Sequence, residues 1–371
     1  MTRKVIGVLV LMFSIALLTT AMNQSFINRI KQAKYFDHLN NTSSDKSSIY
    51  EFLFIKSDRW EYGDLYGVSF LSQYKIKLQP FTTYKQNKHK PVTNRILYII
   101  GDSFLADKSL AGAFKAFDNV VFLDRRFPFG PIVLDSTKQN YLIMEFAERN
   151  LNGYDLKKTG ETIWKKKEIQ AGLNFNSKFT TSKSQKDRPS VFTRLGNIIF
   201  NKDLNRNLEL LLFDNKVTTP FKEAKASLNY NLLGRVSKEV TVSTDRKRLL
   251  FNITVDTSNL ESGFRPISDK EKDSIADHLN TAKNYYRSIG FKNVFLSVVP
   301  NAASIYDENR MPYNHLQQRI EKTVHFPFIP LYNTFKKSPH NLFSLSDSHW
   351  NPLGFNTWVK QADSTLNVNL N

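Results

Sequence analysis

The chain has 371 residues, of which 41% are hydrophobic and 13% aromatic, so it can bury a sizeable core and is not globally disordered. It contains no cysteine, which excludes disulfide scaffolds, thiolate metal sites and cysteine nucleophiles. The formal net charge of +18 favours contact with anionic lipid, anionic polysaccharide or nucleic acid, and does not distinguish among them.

The N-terminus carries an apolar segment. Arg3 and Lys4 precede an uncharged run of 18 residues, Val5 to Met22, which is just long enough to cross a bilayer as a helix. A cleaved signal peptide and a buried core helix are the alternatives. The run is longer than a signal core, and Thr19-Thr20-Ala21 lacks the A-x-A cleavage pattern. We therefore interpret residues 5–22 as an uncleaved single-pass anchor.

The charges before this run predict the orientation of the chain. Residues 1–4 are expected in the cytoplasm, and the C-terminal body in the periplasm or otherwise outside the cytoplasmic membrane. We therefore expect no nucleic-acid partner, and the positive charge points to a membrane surface or an acidic glycan.

A series of short apolar runs begins after residue 90. The run 96–100 (ILYII) ends at Gly101 and predicts a buried parallel strand. Apolar residues at helical spacing predict a helix over 104–117, and 120–123 (VVFL) predicts a second strand. The run 141–146 (YLIMEF) fits either a strand or a helix, because no local breaker decides between them.

The second half of the chain continues this alternation. Ser268-Asp269-Lys270-Glu271 is a capping box that begins a long helix, and Gly290 ends it. The other predicted elements are strands over 248–255, 293–299 and 328–331 and helices over 313–324 and 355–362. Alternating helices and buried strands predict an α/β fold with a parallel sheet covered on both faces.

Two parts of the chain do not fit the alternation. Residues 23–90 are polar and mixed, and we interpret them as a stalk or lead-in. Residues 151–245 begin with a basic stretch and mix apolar with polar runs, which indicates a mostly helical insertion in a domain spanning 91–371. The apolar faces of the insertion fit a membrane, a partner, or packing on the host domain.

The first chemical motif is Gly101-Asp102-Ser103, directly after the first predicted strand. Ligands of α/β sheets bind at the carboxyl ends of parallel strands, where this serine falls. A helix starting behind Ser103 would offer backbone N–H groups to a developing oxyanion. The alternative is an ordinary N-cap turn, since Asp and Ser are favoured caps.

The second motif is the stretch Asp347-Ser348-His349-Trp350-Asn351-Pro352-x-Gly354. A histidine can take the proton of a serine nucleophile, and an aspartate two residues away can orient the imidazole and stabilise its charged form. The alternative is a capping aspartate beside a surface histidine. The other histidines are scattered without the spacing of a zinc site, so we expect no metal and no cofactor.

The two motifs together resemble the SGNH/GDSL hydrolase superfamily. The GDSF stretch looks like its nucleophile block. The D-x-H-W-N-P-x-G stretch is similar to the D-x-H-W motif of the SGNH-like proteins of bacterial polysaccharide O-acetylation, the alginate acetylation proteins and the DHHW group. The resemblance covers roughly residues 95–150 and 245–365. In the alginate proteins the D-x-H-W element precedes the serine, whereas here it follows.

The resemblance implies a three-layer, flavodoxin-like sheet domain and a catalytic set. Ser103 would be the nucleophile, His349 the general base and Asp347 its orienting acid. Gly130, Arg149 and Asn301 are the candidates for oxyanion or substrate donors in positions that follow the sheet strands. For Arg149 the alternative is a surface ion pair with Glu148, and for Asn301 the alternative is an ordinary turn after Pro300. Trp350 would pack the loop or form a wall for a sugar ring.

The function implied is an envelope-anchored serine acyl-transfer enzyme that O-acetylates a polysaccharide, with a multi-pass membrane acyltransferase as partner. A carbohydrate esterase would use the same triad with water as acceptor. A non-catalytic, glycan-binding scaffold subunit is the alternative from another class.

Overall fold

The structure of the chain is a computed structural model that describes residues 2–24, 26–27, 61–85, 92–106, 108–125, 134–151, 203–213 and 217–370. The chain divides into two compact units. The sheet unit comprises Gly63–Ser69, Gln73–Asn176 and Val236–Asn371, and the helical unit comprises Met1–Tyr62, Phe70–Ser72 and Ser177–Arg235. Gly130 and the basic stretch that begins the expected insertion lie outside the described residues.

The secondary structure alternates through most of the sheet unit. The strands are β1 (Arg95–Gly101), β2 (Asn119–Asp124), β3 (Gln139–Ala147), β4 (Val240–Val242), β5 (Leu249–Phe251), β6 (Phe291–Val299) and β7 (Phe328–Ile329). The helices are α1 (Thr2–Met22), α2 (Asp64–Ser69), α3 (Glu148–Leu151), α4 (Leu204–Phe213), α5 (Thr219–Leu233), α6 (Asp269–Ser288), α7 (Ala302–Tyr306), α8 (Leu316–Thr323), α9 (Tyr332–Lys336) and α10 (Pro352–Val368). Single 3₁₀ turns occupy Ser72–Tyr74, Asn252–Thr254 and Glu308–Arg310.

Five strands form one parallel sheet in the order β2-β1-β3-β6-β7. Alternate residues of β1 enter two separate cores, Leu97 and Ile99 on one face and Tyr98 on the other. Helix α10, with Trp358, belongs to the first core, and helix α6, with Leu279, to the second. The predicted α/β architecture with helices on both faces of a parallel sheet is therefore confirmed, and the ambiguous run 141–146 is a strand.

The strand order places a switch point at the centre of the sheet. The chain moves from β1 to β2 on one side, then returns to β3 on the other side of β1 and continues outward. Connections that leave two adjacent parallel strands in opposite directions open a crevice at their carboxyl ends, where ligands bind in open α/β sheets. The end of β1, which leads into Ser103, lies at this crevice.

The helix predicted over 104–117 is wrong. The described residues of this segment form consecutive turns, although Phe114 and Phe117 are buried as the spacing suggests. Part of its backbone forms hydrogen bonds with Tyr84 of the lead-in. The Gly112 N–H donates to the Tyr84 carbonyl at 2.9 Å, and the Tyr84 N–H donates to the Ser109 carbonyl at 3.1 Å. Pairing with the lead-in has replaced helical hydrogen bonds.

Two other elements differ from their predictions in extent. The strand expected over 248–255 is confined to β5 and then turns, and it pairs with β4 in a separate antiparallel ribbon. The final helix begins at Pro352, because Asn351 caps it by accepting a hydrogen bond from the Gly354 N–H at 3.0 Å. The capping box of α6 is present, with the Glu271 N–H donating to Ser268 Oγ at 3.2 Å.

Among the described residues, one helix is long and apolar enough to cross a membrane, Arg3–Met22 in α1, with a mean hydropathy of 2.5. Its end packs against α4 within the helical unit. The Asn207 side chain is fully buried there and donates to the Ala21 carbonyl at 2.9 Å. The helix is thus anchored to protein at Ala21, while most of its length is exposed.

Candidate active site

Ser103 lies in the turn after β1, and its neighbour Asp102 fixes that turn. Asp102 Oδ1 accepts from the Phe104 N–H at 3.0 Å, and Oδ2 accepts from the Asn150 side chain at 2.9 Å. The Asp102 N–H donates to Glu145 Oε2 at 2.9 Å. Asp102 therefore caps the turn, as the alternative interpretation of this motif expected, and the Ser103 hydroxyl is left to other partners.

The loop that carries His349 is held by backbone pairing at its base. Phe343 and Trp350 form an antiparallel bridge, and the Ser344 N–H donates to the His349 carbonyl at 3.1 Å. Trp350 is only 1% exposed and packs edge-on against Phe104, with ring centroids 5.1 Å apart. Of the two roles expected for Trp350, the structure therefore places it under the loop and gives it no face open to a sugar.

Ser103, His349 and Asp347 lie in one hydrogen-bonded line. His349 Nε2 is 2.8 Å from Ser103 Oγ, and His349 Nδ1 is 2.6 Å from Asp347 Oδ1. A ring with its hydrogen on Nδ1 donates to Asp347 and leaves Nε2 to accept from the serine hydroxyl. The structure thus brings together three residues that the sequence separates by up to 246 positions.

Asp347 is held as a carboxylate. Burial raises its pKa, but the charge of His349 and the hydrogen bonds from the His349 ring, the Asp64 N–H and the His349 N–H lower the pKa more, to well below the usual range. A carboxylate that stays ionised beside Nδ1 fixes the ring tautomer and stabilises the imidazolium.

Asp64, at the start of α2, is a site residue that the sequence did not reveal. Its carboxylate accepts from the Ser348 N–H at 2.7 Å and from the Ser348 hydroxyl at 2.5 Å, and its own N–H donates to Asp347 Oδ2 at 2.8 Å. Burial and the nearby charge of Asp347 raise the pKa of Asp64 to about 6. Part of the expected stalk therefore belongs to the sheet unit and holds the histidine loop.

Gly63 allows this contact. Its φ is +104°, and a Cβ at this position would lie 2.4 Å from the Ser346 carbonyl oxygen. We expect Gly63→Ala to destabilise the fold by about 1–3 kcal/mol, because strained backbone and a steric clash coincide. Thermal unfolding measures the loss, and Gly234→Ala is a matched control with positive φ and no atom within 4 Å of the added Cβ. Equal losses in both variants would contradict a specific contact at Gly63.

A second pair of carboxyl groups lies beneath the serine turn. Burial and the charge of Asp102 raise the pKa of Glu145 to about 8. For Asp102, burial raises the pKa, but the charges of Arg125 and Arg149 and the Phe104 N–H lower it more. Near neutral pH, Asp102 is therefore charged and Glu145 carries a proton.

This proton links stability to pH. The pKa of Glu145 is higher in the folded chain than its ordinary value of 4.5, so its contribution to stability is present at low pH and is lost as the pH rises through about 8. Glu145→Gln keeps the acceptor for the Asp102 N–H and removes the titration. We expect the melting temperature of this variant to rise relative to wild type from about pH 5 to about pH 8. Parallel melting-temperature curves would contradict the assignment.

Arg149 and Asn301 line a small, shallow cleft together with Asp347, Ser348 and residues of β5. Within the described part of the chain, neither atom of the buried Asn301 side-chain amide has a hydrogen-bond partner. Its backbone N–H donates to Glu148 Oε2 at 2.7 Å, which fixes the position of Asn301 at the cleft. The surface ion pair considered for Arg149 is wrong, because Glu148 is 2% exposed and also accepts from Ser304 and Tyr313.

The site also contains ligand atoms suited to a metal. Asp64, Asp347 and His349 each offer one such atom, and these atoms lie within 4.8 Å of one another. Each of the three side chains already takes part in the hydrogen bonds described above, which suit a proton relay without a metal. The arrangement can deprotonate the Ser103 hydroxyl and keep the resulting imidazolium charge stabilised.

Comparisons of this chain with protein-family models, with curated proteins and with solved structures found no match.

Proposed function

We propose that this protein is a membrane-anchored serine acyl-transfer enzyme that O-acetylates a cell-surface or exported polysaccharide. The observation that best supports this is the line of contacts from Ser103 Oγ to His349 at 2.8 Å and from His349 to Asp347 at 2.6 Å. The sheet order β2-β1-β3-β6-β7 is that of flavodoxin-like domains and supports an SGNH-like fold.

In the first half-reaction, Ser103 Oγ attacks the carbonyl carbon of an acetyl donor while His349 Nε2 takes the hydroxyl proton. The tetrahedral intermediate collapses, the donor's leaving group departs with the proton from His349, and an acetyl ester remains on Ser103. In the second half-reaction, a sugar hydroxyl gives its proton to His349 and attacks this ester. Collapse releases the acetylated sugar and returns the proton to Ser103.

The intermediate needs donors for its oxyanion. The Ser103 N–H is one candidate, and the Arg149 guanidinium and the Asn301 amide are the side-chain candidates beside the Asp347–Ser348 loop. Arg149 lies with its guanidinium carbon 5.3 Å from the Phe104 ring centre, next to the nucleophile turn. A permanently charged group there favours a negative oxygen over a neutral carbonyl.

The apolar helix α1 supports a membrane location, with the sheet unit outside the cytoplasmic membrane and a multi-pass acyltransferase as the source of acetyl groups. The excess of basic residues suits an acidic polymer as acceptor. Water in place of a sugar hydroxyl would make the same triad an esterase, and the two activities differ only in what reaches the acetyl ester.

A fluorophosphonate probe tests the proposal on the full-length protein in detergent. We expect the probe to attach to Ser103, because its hydroxyl is the one that faces His349 Nε2. Ser348 is the internal control, since its hydroxyl is engaged with Asp64. Mass spectrometry of the peptides locates the adduct. Attachment to Ser348 instead, or to neither serine, would contradict the proposed nucleophile.

Incubation of the protein with p-nitrophenyl acetate and a panel of oligosaccharides separates transfer from hydrolysis. Acetylated sugar identifies a transferase, and free acetate without acetylated sugar identifies an esterase.

A further inference from the structure

Helix α5 exposes large apolar side chains on one face. Phe221, Leu228 and Leu232 are 76%, 56% and 74% exposed, and we call them the apolar stripe. Their spacing of seven and four residues places them within about 40° of one another around the helix axis. Three large exposed hydrophobic groups in one line mark an interaction surface.

The other side of α5 is partly buried and contacts protein of the helical unit. The Lys222 ammonium lies 4.5 Å from the Phe70 ring centre, and the Ser227 hydroxyl is 3.4 Å from that of Ser72. The helix is also well defined at its ends, with Pro220 in its first turn and Gly234 in the left-handed conformation after Leu233. The apolar stripe is therefore the outward face of a fixed helix.

The connection to α1 indicates what covers the stripe. Helix α4 is fastened to the last turn of α1 by the buried Asn207, at the end of the apolar run. If α1 spans a bilayer, this contact lies at the membrane surface. Helix α5 begins six residues after Phe213, so its start is at most about 20 Å from the end of α4.

The charges beside the stripe suit anionic lipid. Lys225 is exposed one turn after Phe221, Arg235 is exposed just after the end of α5, and the segment 217–235 has three basic residues and one acidic residue. Long basic side chains can lie along an apolar surface and extend their charges to the headgroups. A helix with an apolar face and flanking basic groups is the form that lies in the plane of a membrane.

We propose that α5 lies on the bilayer surface on the side where α1 ends, with Phe221, Leu228 and Leu232 inserted among the lipids. This second contact goes beyond the proposed enzymatic function, since it concerns the helical unit alone and requires no catalysis. The chain then has two attachments to the membrane, one that crosses it and one that lies along it.

The sequence contains no cysteine, so a nitroxide reagent labels a single-cysteine variant only at the introduced position. Full-length Phe221→Cys, Leu228→Cys and Leu232→Cys are labelled in vesicles of phosphatidylethanolamine and phosphatidylglycerol. Accessibility to oxygen, which concentrates in lipid, is compared with accessibility to a water-soluble nickel chelate. We expect the oxygen-to-nickel ratio at all three positions to exceed that of Leu260→Cys several-fold. Leu260 is the matched control, as it is 62% exposed in the sheet unit.

Two results would overturn the proposal. A ratio at the stripe equal to that of Leu260→Cys would place the stripe in water, and protection from both reagents would mean that protein covers it, such as a second copy of the chain. The oxygen-to-nickel ratio at Leu11→Cys in α1 tests separately whether the apolar helix lies in the bilayer. Lipid exposure at Leu11 without lipid exposure at the stripe would reject the surface helix alone, and failure at both would reject the anchor as well.

Discussion

Ser103→Ala is expected to lower the rate of acetate release from p-nitrophenyl acetate by at least roughly 10³-fold, because the acetyl group then has no oxygen on which to form an ester. The fold should persist. Among the described residues, the side-chain hydrogen bond that this change removes is the 2.8 Å contact with His349 Nε2, and Asp102 continues to cap the turn.

His349→Ala should cause a loss of similar size, since removing either member disables the same step. Circular dichroism and thermal unfolding serve as the controls for folding. Turnover by a folded Ser103→Ala protein at the wild-type rate would reject the mechanism. Loss of turnover in His349→Ala alone would point to a different nucleophile.

Asp347→Asn is expected to lower kcat by about 10⁴-fold, as an amide holds the imidazole in the wrong tautomer and does not stabilise its charge. Asp64→Asn is the matched control, because it removes a second carboxylate of the same loop. Asp347 Oδ1 is 2.6 Å from His349 Nδ1, whereas Asp64 Oδ2 is 3.9 Å away. Asp64→Asn should therefore lower kcat by no more than about 10²-fold, which is the size of a positioning effect. The opposite ranking would make Asp64 the acid of the triad.

The pH dependence separates the two carboxylates further. The pKa of Asp64 is raised to about 6, so its carboxylate gains charge as the pH rises through that value. The added negative charge favours the imidazolium that forms during catalysis. The ratio of wild-type kcat to Asp64→Asn kcat should therefore increase between pH 5 and about pH 8. A ratio that stays constant would show that the charge of Asp64 does not act on His349.

The sheet could be predicted from the sequence because buried parallel strands are encoded locally. The two-sided apolar runs of β1 and β6 fall where the pattern predicts them, with every residue of Ile96–Ile100 buried. The segment 104–117 shows the limit. Its apolar spacing is helical, but its backbone pairs with Tyr84, a partner that no local pattern could indicate.

The sequence predicts the catalytic residues of the candidate site, but not the residues that hold them in place. Two short motifs indicate Ser103 and His349, and the resemblance of their order along the chain to that of the SGNH/GDSL superfamily predicts that they meet. Asp64 lies in a polar lead-in without a motif, and its role depends on a contact across 283 positions. The raised pKa of Glu145 is equally unpredictable from the sequence, since it depends on burial at the sheet centre and on the charge of Asp102.

In the proposed mechanism, the long separation between Ser103 and His349 also determines when the serine can become reactive. A chain emerging from the ribosome contains Ser103 some 246 residues before its base. Until the last loop is made and closes against the sheet, the hydroxyl is an ordinary alcohol. Under this mechanism, truncated chains that lack the His349 loop would carry no activated serine.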